Sequence, residues 1–142
     1  MKPRINMITL GVKDIARSRD FYEKGLGWKA SSMSNENFVV ISLNGIVLCL
    51  YQEELLAEDA LQKKCPLGFR GVTVSQNVTS KAEVNQVLEH AKAIGAKIVK
   101  PAQEVFWGGY SGYFADPDDN LWEVAWNPYW PIKENGFVDL PE

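Results

Sequence analysis

The sequence predicts a single α+β domain made of two copies of a βαβββ module. Three observations lead there. The order strand, helix, strand, strand, strand can be read twice along the chain. Laying Ile8-Thr9-Leu10 on Val72-Thr73-Val74 brings the two expected helices within about one residue of register. At 142 residues, 46% apolar and 11% aromatic, the chain has the apolar content for one buried core. Module one is expected over about 4–52, a connector over 53–67, module two over 68–127 and an aromatic tail over 128–142.

In module one, Ile5 to Val12 is rich in β-branched and apolar residues and reads as a strand. Asp14 follows as a helix cap, and Ile15, Tyr22 and Leu26 fall near one helical face before the stop signals Gly25 and Gly27. Three strands are expected next: Trp28 to Met33, Phe38 to Leu43 and Ile46 to Tyr51. The last two are joined by Asn44-Gly45, a dipeptide suited to a tight hairpin because both central positions need positive φ. The stretch Gln52 to Lys64 favours helix without a strict repeat and stops before Pro66, as a connector would.

In module two, Phe69 to Ser75 alternates as a strand. Ser80-Lys81-Ala82-Glu83 is a capping box ahead of the apolar stripe Val84, Val87, Leu88, Ala91 and Ile94, closed by Gly95. Ala96 to Lys100, Ser111 to Ala115 and Leu121 to Trp126 supply the remaining strands, with Asp116-Pro117-Asp118-Asp119-Asn120 as the turn between the last two.

Composition excludes some classes of function. A formal charge of -3 provides no basic field for a phosphate backbone, so no nucleic acid is expected. The start of the chain has no apolar targeting segment and no stretch approaches the roughly 18 to 20 apolar residues that span a bilayer, so neither a membrane partner nor a location outside the cytoplasm is expected. Cys49 and Cys65 lack metal or redox spacing and read as unpaired thiols. His90, the sole histidine, lies off the apolar stripe of its helix and is expected in solvent.

The duplicated module, with Val12-Lys13-Asp14-Ile15-Ala16-Arg17-Ser18, Phe21-Tyr22, Leu26-Gly27-Trp28, and Asp116-Pro117-Asp118 running into Leu121-Trp122-Glu123-Val124, resembles the vicinal oxygen chelate superfamily of glyoxalases, bleomycin resistance proteins and extradiol dioxygenases. The resemblance runs from Ile5 to Pro128. It implies an eight-stranded mixed sheet curled around a cleft, often completed by the partner of a homodimer. It also implies metal-ligand positions in the first, fourth, fifth and eighth strands, which fall here on Met7, Leu48, Gly71 and Glu123. Only Glu123 carries a suitable donor. One carboxylate does not hold a divalent cation that takes about three protein ligands, so no metal and no cofactor are expected.

Glu123 is the candidate for catalysis. Its apolar neighbours Trp122 and Val124 turn it to the opposite sheet face, and desolvation between Met7 and Leu48 would raise its pKa and suit it to general-base or ligand-holding work. The glycine-punctuated segment Phe106 to Tyr113 adds broad faces with polar edges, and Trp107 and Tyr113 join Met7, Leu48 and Glu123 as expected ligand contacts. Tyr51 is a lesser candidate on the face opposite Leu48, whereas Trp28 and Phe38 read as core. The aromatic tail Trp126 to Pro131 should pack on the sheet or on a second subunit.

The leading expectation is therefore a metal-free protein that binds a small aromatic or amphipathic molecule as a homodimer. The alternatives are a metal-dependent or Glu-based lyase, isomerase or dioxygenase, and a partner-binding module with an inherited cleft. Apolar packing of the same aromatics, and a Glu123 satisfied by a neighbouring donor, are the structural readings each of these must beat.

Overall fold

The computed structural model describes residues 6–61 and 72–138. The chain divides into two compact units, Met1–Arg70 and Gly71–Glu142. Cys65, Pro66, Gly71 and the first part of the expected strand Phe69 to Ser75 lie outside the described residues.

In the first unit, β1 (Met7–Val12) runs parallel to β3 (Val47–Gln52), and β2 (Phe38–Ser42) pairs antiparallel with β3, giving the order β1-β3-β2. Asp14 caps α1 (Ile15–Arg19) by accepting a 3.0 Å hydrogen bond from the Arg17 N–H. After five residues the helix widens into a π-helical segment, Asp20–Gly25, where the Leu26 N–H bonds the Phe21 carbonyl at 3.0 Å. The widening seats Phe21 and Tyr22 in the core and lays Trp28 against Tyr22, with ring centroids 5.7 Å apart. Glu23 clamps the segment by accepting from Arg19 Nε at 2.7 Å and from the Ala30 N–H at 3.4 Å. The Arg19 guanidinium holds the Glu23 carboxyl below its ordinary value.

Asn44 and Gly45 form the expected hairpin: Gly45 has φ +82° and the Leu43 N–H bonds the Ile46 carbonyl at 2.8 Å. The expected strand Trp28 to Met33 is not formed. It contributes one isolated bridge, Ala30 with Ile41. Local serine hydrogen bonds take the place of the ladder, because Ser31 Oγ accepts from the Met33 N–H at 3.2 Å and Ser34 Oγ accepts from the Val40 N–H at 3.0 Å. The connector forms a short helix, α2 (Glu53–Asp59).

In the second unit, the sheet order is β4-β7-β6-β5, from β4 (Val74–Asn77), β5 (Lys97–Glu104), β6 (Tyr110–Ala115) and β7 (Leu121–Trp126). β4 is parallel to β7 and the other pairs are antiparallel. The described residues therefore hold two sheets of three and four strands, not the eight-stranded sheet expected. The sheet is covered on one face by α3 (Lys81–Ala93), whose Val84, Leu88 and Ala91 are buried. Ser80 Oγ accepts from the Glu83 N–H at 3.2 Å, while the Glu83 carboxylate reaches one residue further back than a capping box requires and accepts from the Thr79 N–H at 2.8 Å. His90 is exposed.

α3 lies so close to β6 that a Cβ on Gly112 would stand 2.6 Å from Leu88 Cδ1 and 2.8 Å from the Lys100 carbonyl. β5 carries Pro101 and slips register twice against β6, between Ile98 and Lys100 and again before Gln103. The β6–β7 turn is tied by Asp116, whose carboxylate accepts from the N–H groups of Asp118 and Asn120, both at 2.9 Å. The tail closes the end of this unit, where Trp126, Asn127, Pro128, Trp130, Pro131 and Ile132 join Val78 and Thr79 around a cavity of about 290 Å³.

No helix among the described residues is long and apolar enough to cross a membrane.

Candidate functional site

Strand parity decides what each sheet offers. In the second unit Gly112, Phe114, Trp122 and Val124 face α3, and the Phe114 and Trp122 rings stack with centroids 6.2 Å apart. Tyr113 and Glu123 alternate with them and so share the opposite face. They are direct cross-strand partners, and Glu123 is in turn the partner of Ser75 on β4. Beyond Tyr113 the same rung reaches Lys100 on β5. Four polar side chains, Ser75, Glu123, Tyr113 and Lys100, thus cross all four strands in one line.

The contacts follow that line. Ser75 Oγ donates to Glu123 Oε2 at 3.1 Å. The Tyr113 phenol is the cross-strand neighbour of the Glu123 carboxylate, and Lys100 Nζ stands 5.6 Å from the centre of the Tyr113 ring. Burial pushes the Tyr113 phenol above its ordinary value, and the hydrogen bond to Glu123 and the carboxylate's negative charge push the same way. Tyr113 is therefore a neutral donor at physiological pH. Ser75 is exposed, whereas Lys100, Tyr113 and Glu123 are half-buried, so the line remains open to solvent along its length. Chemically it presents an anchored carboxylate acceptor and, across the phenol, an ammonium.

The other expected contacts lie elsewhere. Met7 and Leu48 belong to the first unit. Met7 is 51% exposed and pairs with Val47, whereas Leu48 is 1% exposed and pairs with Ile8 and Ile41 in the packed face of that sheet. A period of two separates them: the strand neighbours that share the face of Met7 are Val47, Cys49 and Tyr51, so Leu48 is one residue out of phase. Trp107 sits in the β5–β6 hairpin loop with its ring folded onto Gly109, where a Cβ would overlap it. That loop is closed by a 3.0 Å hydrogen bond from the Val105 N–H to the Gly109 carbonyl, and Tyr129 of the tail lies against Gly108. The Trp28 and Phe38 side chains are half-buried. Burial pushes the Cys49 thiol up, away from the thiolate form that ligates metals.

The donor set around Glu123 does not fit the family's divalent metal. Its companions are the Ser75 hydroxyl, which donates to it, and the Tyr113 phenol, and no group of three His, Cys, Asp or Glu residues comes together among the described residues.

Sequence reasoning missed Ser75 and Lys100 as site residues. Both stood at the ends of expected strands, and the available signal was register: the residue opposite Glu123 in a parallel partner, and the residue opposite Tyr113 in an antiparallel one.

The family model of the glyoxalase/bleomycin resistance protein/dioxygenase superfamily matches residues 4–124. Among solved structures, the chain is similar to a glyoxalase-related enzyme from Fulvimarina pelagi, with 33% identity, 99% of each chain covered and a TM-score of 0.88. A glyoxalase/bleomycin resistance protein/dioxygenase from Nocardioides is 25% identical over 89% of this chain and 84% of its own, with a TM-score of 0.72. A lactoylglutathione lyase from Agrobacterium tumefaciens shares the fold at 18% identity, covering 94% of this chain and all of its own with a TM-score of 0.71.

Proposed function

Since the chain belongs to the glyoxalase/bleomycin resistance protein/dioxygenase superfamily, we propose that it acts within it as a metal-free protein that binds a small molecule on the sheet face opposite α3. The observation that carries this reading is the Ser75–Glu123–Tyr113 line, with Glu123 held by the Ser75 hydroxyl beside the Tyr113 phenol on a half-buried face. A carboxylate fixed in this way keeps acceptor positions for a ligand N–H or O–H, and a charge-assisted hydrogen bond is about twice as strong as a neutral one. The Tyr113 ring adds an amphipathic surface beside it.

The test is a fragment panel screened in EDTA by the chemical shifts of the second unit's backbone amides. Binders should move Tyr113 and Glu123 and lose at least tenfold in affinity in Glu123→Gln. Binders that ignore the substitution, or that bind only when a divalent metal is restored, would remove the reading.

The half-buried Glu123 carboxylate beside Tyr113 favours a second reading, a Glu-based lyase or isomerase in which Glu123 takes a proton from a bound substrate. It is separated from the first by turnover lost in Glu123→Gln while ligand affinity persists. Assembly as a homodimer belongs to the proposal too. Phe106, Tyr129, Trp130 and Phe137 are exposed large apolar side chains of the second unit, surface that a partner would cover. Light scattering should give the mass of two chains.

A further inference from the structure

Lys100 and Glu123 carry opposite charges on one rung of one sheet, two strand spacings or about 10 Å apart. Neither is neutralised by a described residue. Among the described residues no ion pair involves Lys100 or Glu123, in contrast to Arg19 with Glu23, Lys24 with Asp20 and Lys81 with Glu104. Both side chains are half-buried and separated by Tyr113, which is the cross-strand partner of one and places its ring under the other.

A ligand seated on this line takes water from both ions. An amine alone would compensate Glu123 and leave the Lys100 ammonium desolvated and unpaired. A carboxylate alone would do the reverse. A half-buried charge stripped of water without a partner costs more than a matched pair returns. The arrangement therefore selects against singly charged ligands and for those carrying both charges at opposite ends.

We propose that the site takes amphoteric small molecules, with an ammonium at Glu123, a carboxylate at Lys100 and the body of the molecule lying across Tyr113. This rests on the binding reading above and narrows it to a substrate class. Ser75 fixes the carboxylate on its far side, so the approach of the ammonium is from the Tyr113 side.

The experiment compares 4-(aminomethyl)benzoate, benzylamine and benzoate by calorimetry at low ionic strength in EDTA, on the full chain. The expected result is at least tenfold tighter binding of 4-(aminomethyl)benzoate than of either singly charged relative. Lys100→Met should reduce it to the affinity of benzylamine, Lys100→Arg should restore the preference, and Glu123→Gln should reduce it to the affinity of benzoate. Circular dichroism of each variant confirms that it folds. Equal affinities for the three compounds, no binding of any, or a preference that survives Lys100→Met would overturn the charge assignment. The fragment panel run on the same protein keeps the two readings apart: Glu123-dependent binders without an amphoteric preference sink this inference alone, whereas the absence of Glu123-dependent binders sinks both.

Discussion

The two units repeat one backbone plan and differ in what they place on one rung of it. In the first, Gly11, Tyr51 and Phe38 face one another across β1, β3 and β2. In the second, the corresponding line is Ser75, Glu123 and Tyr113 across β4, β7 and β6. One residue earlier the comparison reverses: Leu10, Leu50 and Val39 answer Val74, Trp122 and Phe114, and both sets serve the packed face. The helix-facing rung is constrained by packing density, so it stays apolar in both copies. The other rung meets no long helix: in the first unit Gly11 leaves room for Leu56 and Glu53 of α2, and there the copies carry a glycine with two aromatics in one and a hydrogen-bonded carboxylate in the other.

That division of labour predicts a ranking of effects. Leu50 is fully buried, so Leu50→Ala should cost about 2–5 kcal/mol in urea unfolding. A cost under about 1 kcal/mol would mean that the packed rung is not what holds the first unit. Gly112→Ala tests the second unit's packed face. Its new methyl meets backbone at 2.8 and 2.9 Å as well as Leu88, and overpacking of this kind costs about 1–3 kcal/mol. Ser80→Ala removes the cap of α3 and should cost about 1 kcal/mol, read from the same denaturation curves.

The smallest stability effect belongs to the polar rung itself. Glu123→Gln should change stability by about 1 kcal/mol or less, yet it should visibly alter a titration. Tyr113 ionises above the ordinary tyrosine value of about 10. Its neutral form therefore contributes stability that is fully present below that value and is lost as pH rises through the raised midpoint. Removing the Glu123 charge should bring the midpoint down, seen as earlier tyrosinate absorbance on raising pH. An unmoved midpoint would mean that the hydrogen bond between the two is not formed in solution.

Much of this plan was legible before any coordinates. Asn44-Gly45 announces its hairpin because Gly45 alone takes the positive φ of the turn at no steric cost, while Asn44 stays at negative φ, and Ser80 announces α3 because a hydroxyl at that place satisfies an otherwise unpaired N–H. Glu123 could be turned away from the helix by its apolar neighbours alone. The strand expected over Trp28 to Met33 failed where β propensity competes with serine side chains that bond the backbone locally. Leu48 stands on the packed face of its sheet, because a shift of one residue, harmless for a fold, exchanges the two faces of a strand. Lys100 and Ser75 were invisible for a different reason: no local pattern tells which residues of non-adjacent segments will stand side by side.

The outer margin of the second sheet has a consequence for how the protein behaves at high concentration. β5 closes that sheet on one side, and Pro101 has no N–H to offer a visiting strand while the two register slips break the even spacing that one would need. Chains meeting along this margin find no continuous template, which protects against fibrous stacking.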